Sequence, residues 1–329
     1  MSFDDFENAP ATLCMISGCG RSGSNRLLDI LDFSAMTACR NEPDEIRGGR
    51  LNQIGYQLFD TGLGAPEVKT LHRALIEAGT VRSERDRFDH TNKQFLTSAG
   101  KALIPVMAVG RVRKLAHAVG IMNSPAEWNL PGFSLNDAPF LPVLKLNSRP
   151  IWAEQAAKAE PNLRLVHNIR QPWDYLNSWF NRFILRNDNV AGSFTEHFGD
   201  VPRVLEFFGR DDADRLGDPS IQNIVEVELW RWRYTNERLM RLGSEHVRYL
   251  RVTYGEVDED VLATARSLYE FLGLPITPNI ETGIASMRNK IFPNPHKRRL
   301  EDDVVRAAMD IALADCPLET VFPNGFLRH

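Results

Sequence analysis

A glycine-rich stretch near the start of the chain has the residue types and spacing that bind a phosphate-like anion. It reads Ser17-Gly-Cys-Gly-Arg-Ser-Gly-Ser24 and follows residues 13–16, an apolar run typical of a buried parallel strand. Apolar residues then recur at helical spacing over residues 25–31. A glycine loop between a strand and a helix leaves its backbone N–H groups free to surround an anion at the positive end of the helix. The stretch therefore predicts a phosphate cradle, and residues 17–24 are called the phosphate loop.

The phosphate loop departs from the pattern of nucleoside triphosphatases, G-x-x-x-x-G-K-[ST]. Gly18 and Gly23 fit this pattern, but Ser24 stands where the lysine belongs. Asn25 stands where the magnesium-binding hydroxyl belongs. These two differences disfavour an ordinary ATPase or kinase.

The same loop matches the dinucleotide-binding pattern G-x-G-x-x-G through Gly18, Gly20 and Gly23. An acid, Glu42, follows at close to the expected separation of about 20 residues. A nicotinamide-dependent oxidoreductase and a non-catalytic nucleotide-binding protein therefore stay open as alternatives. Against the dinucleotide interpretation, the loop region carries one cation and three hydroxyl or amide side chains, which suit a highly charged terminal group. These four residues are Arg21, Ser22, Ser24 and Asn25.

A second candidate anion site follows another predicted strand, residues 163–169. Arg170 comes directly after this strand, and Pro172 favours a helix start two residues later. Ser178 falls on the second turn of that helix. An arginine at a strand end and a hydroxyl on the next helix can together hold a second phosphate. The alternative for Arg170 is a structural ion pair with Asp174.

Together the two motifs resemble those of the sulfotransferases that use 3′-phosphoadenosine-5′-phosphosulfate (PAPS). In that family a Lys or Arg precedes Ser-Gly-Thr/Ser in the loop for the 5′-phosphosulfate, and Arg21 fills this place. Arg170, the nearby proline and Ser178 are similar to the family's 3′-phosphate motif. The resemblance is confined to residues 12–43 and 143–183, with a looser echo at 247–254.

The resemblance implies an enzyme that transfers a sulfuryl group from PAPS to a hydroxyl or amine and releases 3′-phosphoadenosine-5′-phosphate (PAP). It implies that donor-binding groups lie in both motifs and in a basic loop near the carboxyl end, where Arg288 or Lys290 would close over the 3′-phosphate. Alternatively, the basic side chains of that loop form surface ion pairs with the acidic residues 301–303. The implied donor-binding residues are Gly20, Arg21, Ser22, Gly23, Ser24, Asn25, Arg170, Ser178 and Arg288.

The catalytic residues implied by the resemblance are Arg21, Lys145 and a carboxylate. Cytosolic members place a histidine shortly after Lys-Thr in the third strand, but Lys145-Leu-Asn147 offers an amide, which cannot act as a base. Glu42 is similar in placement to the catalytic glutamate of tyrosylprotein sulfotransferases, at the end of the strand expected beside the phosphate loop. Glu45 and His72 are substitutes for this role. Lys145 is alternatively a strand-end residue with its ammonium group in water.

The predicted fold is a three-layer α/β domain with a mainly parallel central sheet of about five strands, a P-loop-like phosphate-binding loop and helices on both faces. Residues 1–329 are predicted to form this single domain. Residues 44–142 are predicted to be a mostly helical insertion that builds the acceptor pocket. The predicted strands are residues 13–16, 36–40, 142–146, 163–169 and 247–252, and the predicted helices outside the first motif include 68–78, 110–120, 150–159, 223–242 and 258–272.

Composition limits the remaining functional classes. A formal net charge of −4 excludes polyanion binding as the main function of the protein, so no nucleic-acid partner is expected. Residues 1–10 are acidic and polar, and no run approaches the roughly 18 apolar residues of a membrane span, which favours a cytoplasmic protein. The acceptor stays open among small-molecule, lipid, carbohydrate and peptide substrates, as does homo-oligomerisation.

The cysteines and histidines offer no metal-ligand spacing, so no metal is predicted. His167 lies within a predicted strand and is interpreted as a hydrogen-bonded core histidine rather than a base. His72 and His90 have surface roles by default. Buried reduced thiols are expected at Cys14, Cys19, Cys39 and Cys316.

Overall fold

The computed structural model of the chain describes most of the predicted sheet and parts of the predicted insertion. The described residues are 11–42, 66, 78–80, 92–108, 110–120, 127–129, 136–148, 150–160, 162–183, 200–218, 220–245, 248–287, 300, 302–322 and 326.

Five parallel strands form the central sheet, which confirms the predicted α/β class. Their order across the sheet is β2-β5-β1-β6-β7. Strand β1 is central and has all six residues buried, because both of its faces and both of its edges are covered. The bounds are β1 Leu13–Gly18, β2 Thr37–Asn41, β5 Leu141–Asn147, β6 Leu163–Ile169 and β7 Tyr249–Thr253.

Strand β2 does not lie beside β1, so the expectation that Glu42 follows a strand next to the phosphate loop was wrong. β5 lies between the two strands and pairs with both. In dinucleotide-binding sheets the second strand pairs directly with the first, which brings its terminal acid to the ribose. The observed order therefore disfavours the dinucleotide interpretation of Glu42.

Helices cover both faces of the sheet, and the side chains of β1 alternate between two cores. Cys14 and Ile16 pack with helices α1, α9 and α10, whereas Leu13 and Met15 pack with α4 and α7. A further cluster joins α5, α6, α7 and α11. The helices are α1 Ser24–Asp32, α2 Ser98–Ala108, α3 Gly110–Ala118, α4 Pro150–Ala159, α5 Pro172–Phe183, α6 Val201–Phe207, α7 Ile221–Glu245, α8 Tyr254–Glu259, α9 Val261–Leu272, α10 Pro278–Met287 and α11 Asp302–Ala312.

One predicted helix is two helices in the structure. Thr253 and Glu256 form a capping box that begins α8 directly after β7. Asp260 then accepts hydrogen bonds from the N–H groups of Leu262 and Ala263 and begins α9. The predicted single helix over residues 258–272 missed this break, because both caps are local side-chain events within an otherwise apolar-periodic stretch.

The described part of the predicted insertion contains two helices, α2 and α3, and two short antiparallel strands that sequence reasoning missed. These strands are β3 Ala78–Thr80 and β4 Glu127–Asn129. The predicted helix 68–78 lies outside the described residues except for Ala78, which belongs to β3. β5 begins at Leu141, one residue before the predicted strand.

A buried lysine joins the insertion to the end of α1. Lys93 Nζ donates to the carbonyl oxygens of Asp32 and Ser34 at 2.6 and 2.8 Å and forms an ion pair with the Asp32 carboxylate at 2.9 Å. A cation is favourable there because the carbonyl end of a helix carries negative partial charge. Burial raises the pKa of Asp32, and the charge of Lys93 opposes that rise.

All four cysteines are free and buried, as expected. No helix in the described ranges is both long and apolar enough to cross a membrane.

Candidate functional site

The phosphate loop leaves the carboxyl end of β1, at the centre of the sheet. Arg21 and Gly23 both adopt left-handed backbone conformations, with φ of 72° and 89°. Glycine suits the second position because a Cβ atom there would overlap the ring of Tyr254. A Cβ atom at Gly18 would likewise overlap the carbonyl oxygen of Asn168. The loop is therefore packed tightly against its neighbours at both ends.

Hydrogen bonds tie this loop to the strands on either side of β1. On the β5 side, Gly20 N donates to Ser148 Oγ at 3.3 Å, and Ser148 N donates to Gly18 O at 2.7 Å. On the β6 side, Asn168 Nδ2 donates to the carbonyl and hydroxyl oxygens of Ser22 at 3.1 and 3.2 Å. Sequence reasoning missed Ser148 and Asn168, although their polar character at strand ends was a usable signal.

The two predicted anion-binding motifs meet in the structure. Arg21 Nε donates to Ser178 Oγ at 3.3 Å, and Arg170 Nη1 donates to the carbonyl oxygen of Arg21 at 3.0 Å. The pairing of β1 with β6 brings these residues together, because both motifs begin where those adjacent strands end. Asp174 is exposed, and in the described structure it forms no ion pair with Arg170.

Tyr254 lies beneath the Arg170 guanidinium. The guanidinium carbon is 4.4 Å from the ring centroid, a cation–π contact that restrains the planar group. Arg170 Nε is buried and has no hydrogen-bond partner among the described residues. A buried donor without an acceptor is costly in a folded protein, so this N–H group is available to a ligand. In the sequence, Tyr254 lies at the end of the looser resemblance over residues 247–254.

A carboxylate, an ammonium group and an amide meet at the ends of β2 and β5. Glu42 Oε1 accepts hydrogen bonds from Lys145 Nζ and Asn147 Nδ2. The Lys145 side chain is 2% exposed and that of Glu42 is 15% exposed, so the ammonium is held by the carboxylate and not by bulk water. The interpretation of Lys145 as a strand-end residue with its ammonium in water was therefore wrong.

Backbone conformation also directs the Glu42 side chain. Its φ is 49°, in the left-handed region, and its N–H donates to the Lys145 carbonyl oxygen at 2.9 Å. The Asn147 amide connects this carboxylate to the phosphate loop, because its Oδ1 accepts from Ser24 Oγ at 3.5 Å. Glu42 and the loop thus lie at the same edge of the sheet, joined through one side chain.

The remaining predicted site residues differ in their burial and in whether the structure describes them. Asn25 is exposed on the first turn of α1. His167 is buried between Tyr249 Oη at 2.6 Å and Asn236 Oδ1 at 2.9 Å, which confirms a hydrogen-bonded core histidine. Its pKa is lowered to about 4, mainly by burial; the hydrogen bond to Asn236 opposes this fall and the nearby charge of Arg251 contributes to it. The residues Arg288, Lys290, Glu45, His72 and His90 lie outside the described part of the chain.

Several solved sulfotransferase structures are similar to this chain. Sulfotransferase STF9 from Mycobacterium avium is 15% identical, with a TM-score of 0.44 over 98% of this chain and 79% of that one. The sulfotransferase domain of the Synechococcus PCC 7002 olefin synthase is 16% identical, with a TM-score of 0.39 over 97% and 91% of the two chains. A mouse sulfotransferase in complex with PAP is 10% identical, with a TM-score of 0.34 over 92% and 78%.

No protein-family model and no curated protein matches the chain. The likeness to solved structures is remote, so the activities of those proteins are not carried over to this chain. The residues that meet at the phosphate loop indicate the function of this chain.

Proposed function

We propose that the protein transfers a sulfuryl group from PAPS to a hydroxyl or amine acceptor. The observation that carries the proposal is the contact between Arg21 of the phosphate loop and Ser178 of the second motif. A donor with a charged group at each end of its ribose needs two separate anion sites at a fixed spacing. The adjoining motifs fit such a donor better than one whose phosphates are contiguous.

The chemistry of the side chains fits PAPS. Backbone N–H groups of the phosphate loop, the hydroxyl groups of Ser22 and Ser24, the Asn25 amide and the cation of Arg21 would hold the 5′-phosphosulfate. Arg170 and Ser178 would hold the 3′-phosphate, for which the buried Nε–H of Arg170 is an available donor. Arg288 is assigned to the same phosphate by resemblance alone.

The proposed reaction is an in-line displacement. PAPS supplies the sulfuryl group, whose bond to the phosphate oxygen breaks as the bond to the acceptor forms. Glu42 takes the proton from the attacking hydroxyl or amine. Lys145 and Asn147 hold the Glu42 carboxylate, and Lys145 is the proposed cation next to the transferring group. Arg21 stabilises the negative charge that builds on the leaving phosphate oxygen.

The acceptor would be held by residues 44–142 within a single domain. The described part of this segment is mainly the two helices α2 and α3 and the two short strands β3 and β4. Turnover is expected without added metal. The described residues contain no group of three or more His, Cys, Asp and Glu side chains that could hold a metal ion.

Calorimetric titration with PAP, AMP and NADPH tests the proposal. The wild-type protein should bind PAP more tightly than AMP and should bind NADPH weakly. Losing one charge-assisted contact costs about 1.5 to 3 kcal/mol, so Arg170→Ala should lower PAP affinity by about tenfold to a hundredfold and remove most of the preference over AMP.

The matched control is Arg266→Ala, which removes one positive charge from an exposed position on α9. It should retain the full preference for PAP. NADPH binding tighter than PAP binding would contradict the proposal and favour an oxidoreductase, whereas an unchanged PAP preference in Arg170→Ala would remove Arg170 from the site.

A further inference from the structure

One turn of α7 contacts both anion-binding motifs. Asn236 Nδ2 donates to the Trp232 carbonyl oxygen at 2.8 Å and to Cys19 Sγ of the phosphate loop at 3.6 Å. The Cys19 thiol in turn donates to the same carbonyl oxygen at 3.8 Å. Trp232 Nε1 donates to the Arg170 carbonyl oxygen at 3.1 Å. Two residues one helical turn apart therefore reach the loop and the end of β6 together.

The orientation of the Asn236 amide is determined by its partners. The Trp232 carbonyl can only accept, so the amide nitrogen faces it, and Oδ1 faces His167 Nε2 at 2.9 Å. His167 Nε2 must then carry the proton, and Nδ1 accepts from Tyr249 Oη at 2.6 Å. Every member except Tyr249 is buried. A buried network with all its bonds formed is rigid and specifies one arrangement.

Cys19 makes this network relevant to the phosphate loop. It lies between Gly18 and Gly20, and its carbonyl oxygen accepts from Ser22 N at 3.2 Å, which closes the turn of the loop. Burial raises the pKa of its thiol, so the group remains protonated and serves as a contact surface for α7. Through its thiol, Cys19 therefore connects the phosphate loop to the Asn236 amide and the Trp232 carbonyl oxygen of α7.

We infer that Asn236 and Trp232 are positioning residues that fix the spacing between the phosphate loop and Arg170. This spacing would set how strongly the site prefers a nucleotide with two phosphate groups over one with a single phosphate. The identity of the ligand in this inference rests on the proposed function. The claim that Asn236 and Trp232 hold the phosphate loop and Arg170 in place rests on the hydrogen-bond network alone.

The ratio of the affinities for PAP and AMP tests the inference in two variants. Trp232→Phe keeps an aromatic ring but removes the Nε1–H donor to Arg170, and Asn236→Ala removes the contact to Cys19. Each should reduce the ratio by about tenfold, the effect of one weakened charge-assisted contact. Leu239→Ala is the control, because Leu239 is equally buried on α7 but packs in the core with Leu13 and Met15. Leu239→Ala should lower the stability of the fold but leave the ratio of the PAP and AMP affinities unchanged.

A general loss of stability would affect both nucleotides alike, so an unchanged ratio in Trp232→Phe and Asn236→Ala would overturn the inference while the proposed function stands. If Asn236→Ala does not fold, Trp232→Phe alone decides this comparison.

If the wild-type protein does not prefer PAP over AMP, the proposed function is overturned. Hydrogen exchange then tests whether Asn236 and Trp232 hold the phosphate loop in place. The backbone amides of residues 17–23 should exchange hydrogen about tenfold faster in Asn236→Ala than in Leu239→Ala, when the two variants are compared at equal stability. If Asn236→Ala does not fold, Trp232→Phe takes its place in this comparison. Equal exchange would overturn the inference.

Discussion

The buried state of His167 predicts a specific loss of stability in mild acid. The side chain lies in the sheet with both ring nitrogens hydrogen-bonded, and its pKa falls from 6.5 to about 4. Removal from water is the main cause, because burial penalises the charged imidazolium. An unfolded chain returns this group to water and to its ordinary pKa.

The sign and size of the effect follow from linkage. Between pH 6.5 and about 4 the unfolded state binds a proton at His167 that the folded state does not, so the free energy of unfolding falls as the pH falls through this window. Each pKa unit corresponds to about 1.4 kcal/mol, which gives a total of about 3 kcal/mol. About 2 kcal/mol of this is already lost at pH 5.

Urea denaturation at pH 7.5 and pH 5.0 measures the effect against His167→Gln, which does not titrate. The wild-type protein should lose about 2 kcal/mol more stability than the variant between these two pH values. His117→Gln is the control, since His117 is exposed on α3, and it should retain the wild-type pH dependence. The same loss in wild type and His167→Gln would refute the assignment of His167 as a neutral core residue.

Four further predictions concern the carboxylate, the phosphate loop and the metal requirement. Glu42→Gln should bind PAP normally but lower kcat by about 10² to 10⁴ once an acceptor is identified, and near-normal turnover would move the base to another residue. Arg21→Ala should lower kcat far more than it raises KM, because its cation acts on charge that develops in the transition state; a change confined to KM would contradict this role. Turnover of the wild type should survive EDTA, and a strict metal requirement would revive the kinase interpretation. Gly18→Ala should destabilise the fold by about 1 to 3 kcal/mol in urea, because its Cβ atom would overlap Asn168. Gly20→Ala is the matched control, since the nearest atom to its Cβ is 3.9 Å away, and equal losses would show that the overlap is relieved.

Local pattern in the sequence was enough to predict the five strands of the central sheet, the phosphate loop and the second motif. An apolar run followed by glycines identifies a strand and a loop because these depend on neighbouring residues. Arg21 and Arg170 could each be selected from the residues around them. The buried face of α7 could also be predicted, since helical spacing places Leu229, Trp230 and Tyr234 on the core side, as observed.

Tertiary structure alone decided which of these elements are neighbours. An apolar strand carries no local signal for its partner, so the position of β5 between β1 and β2 was not predictable from either strand. That position creates the contacts of Glu42 with Lys145 and Asn147, because it pairs Asn41 with Lys145 in register. The contact of α7 with Cys19 likewise depends on how the helix packs across the sheet. These contacts join residues far apart in sequence, and only the pairing and packing of whole elements determine them.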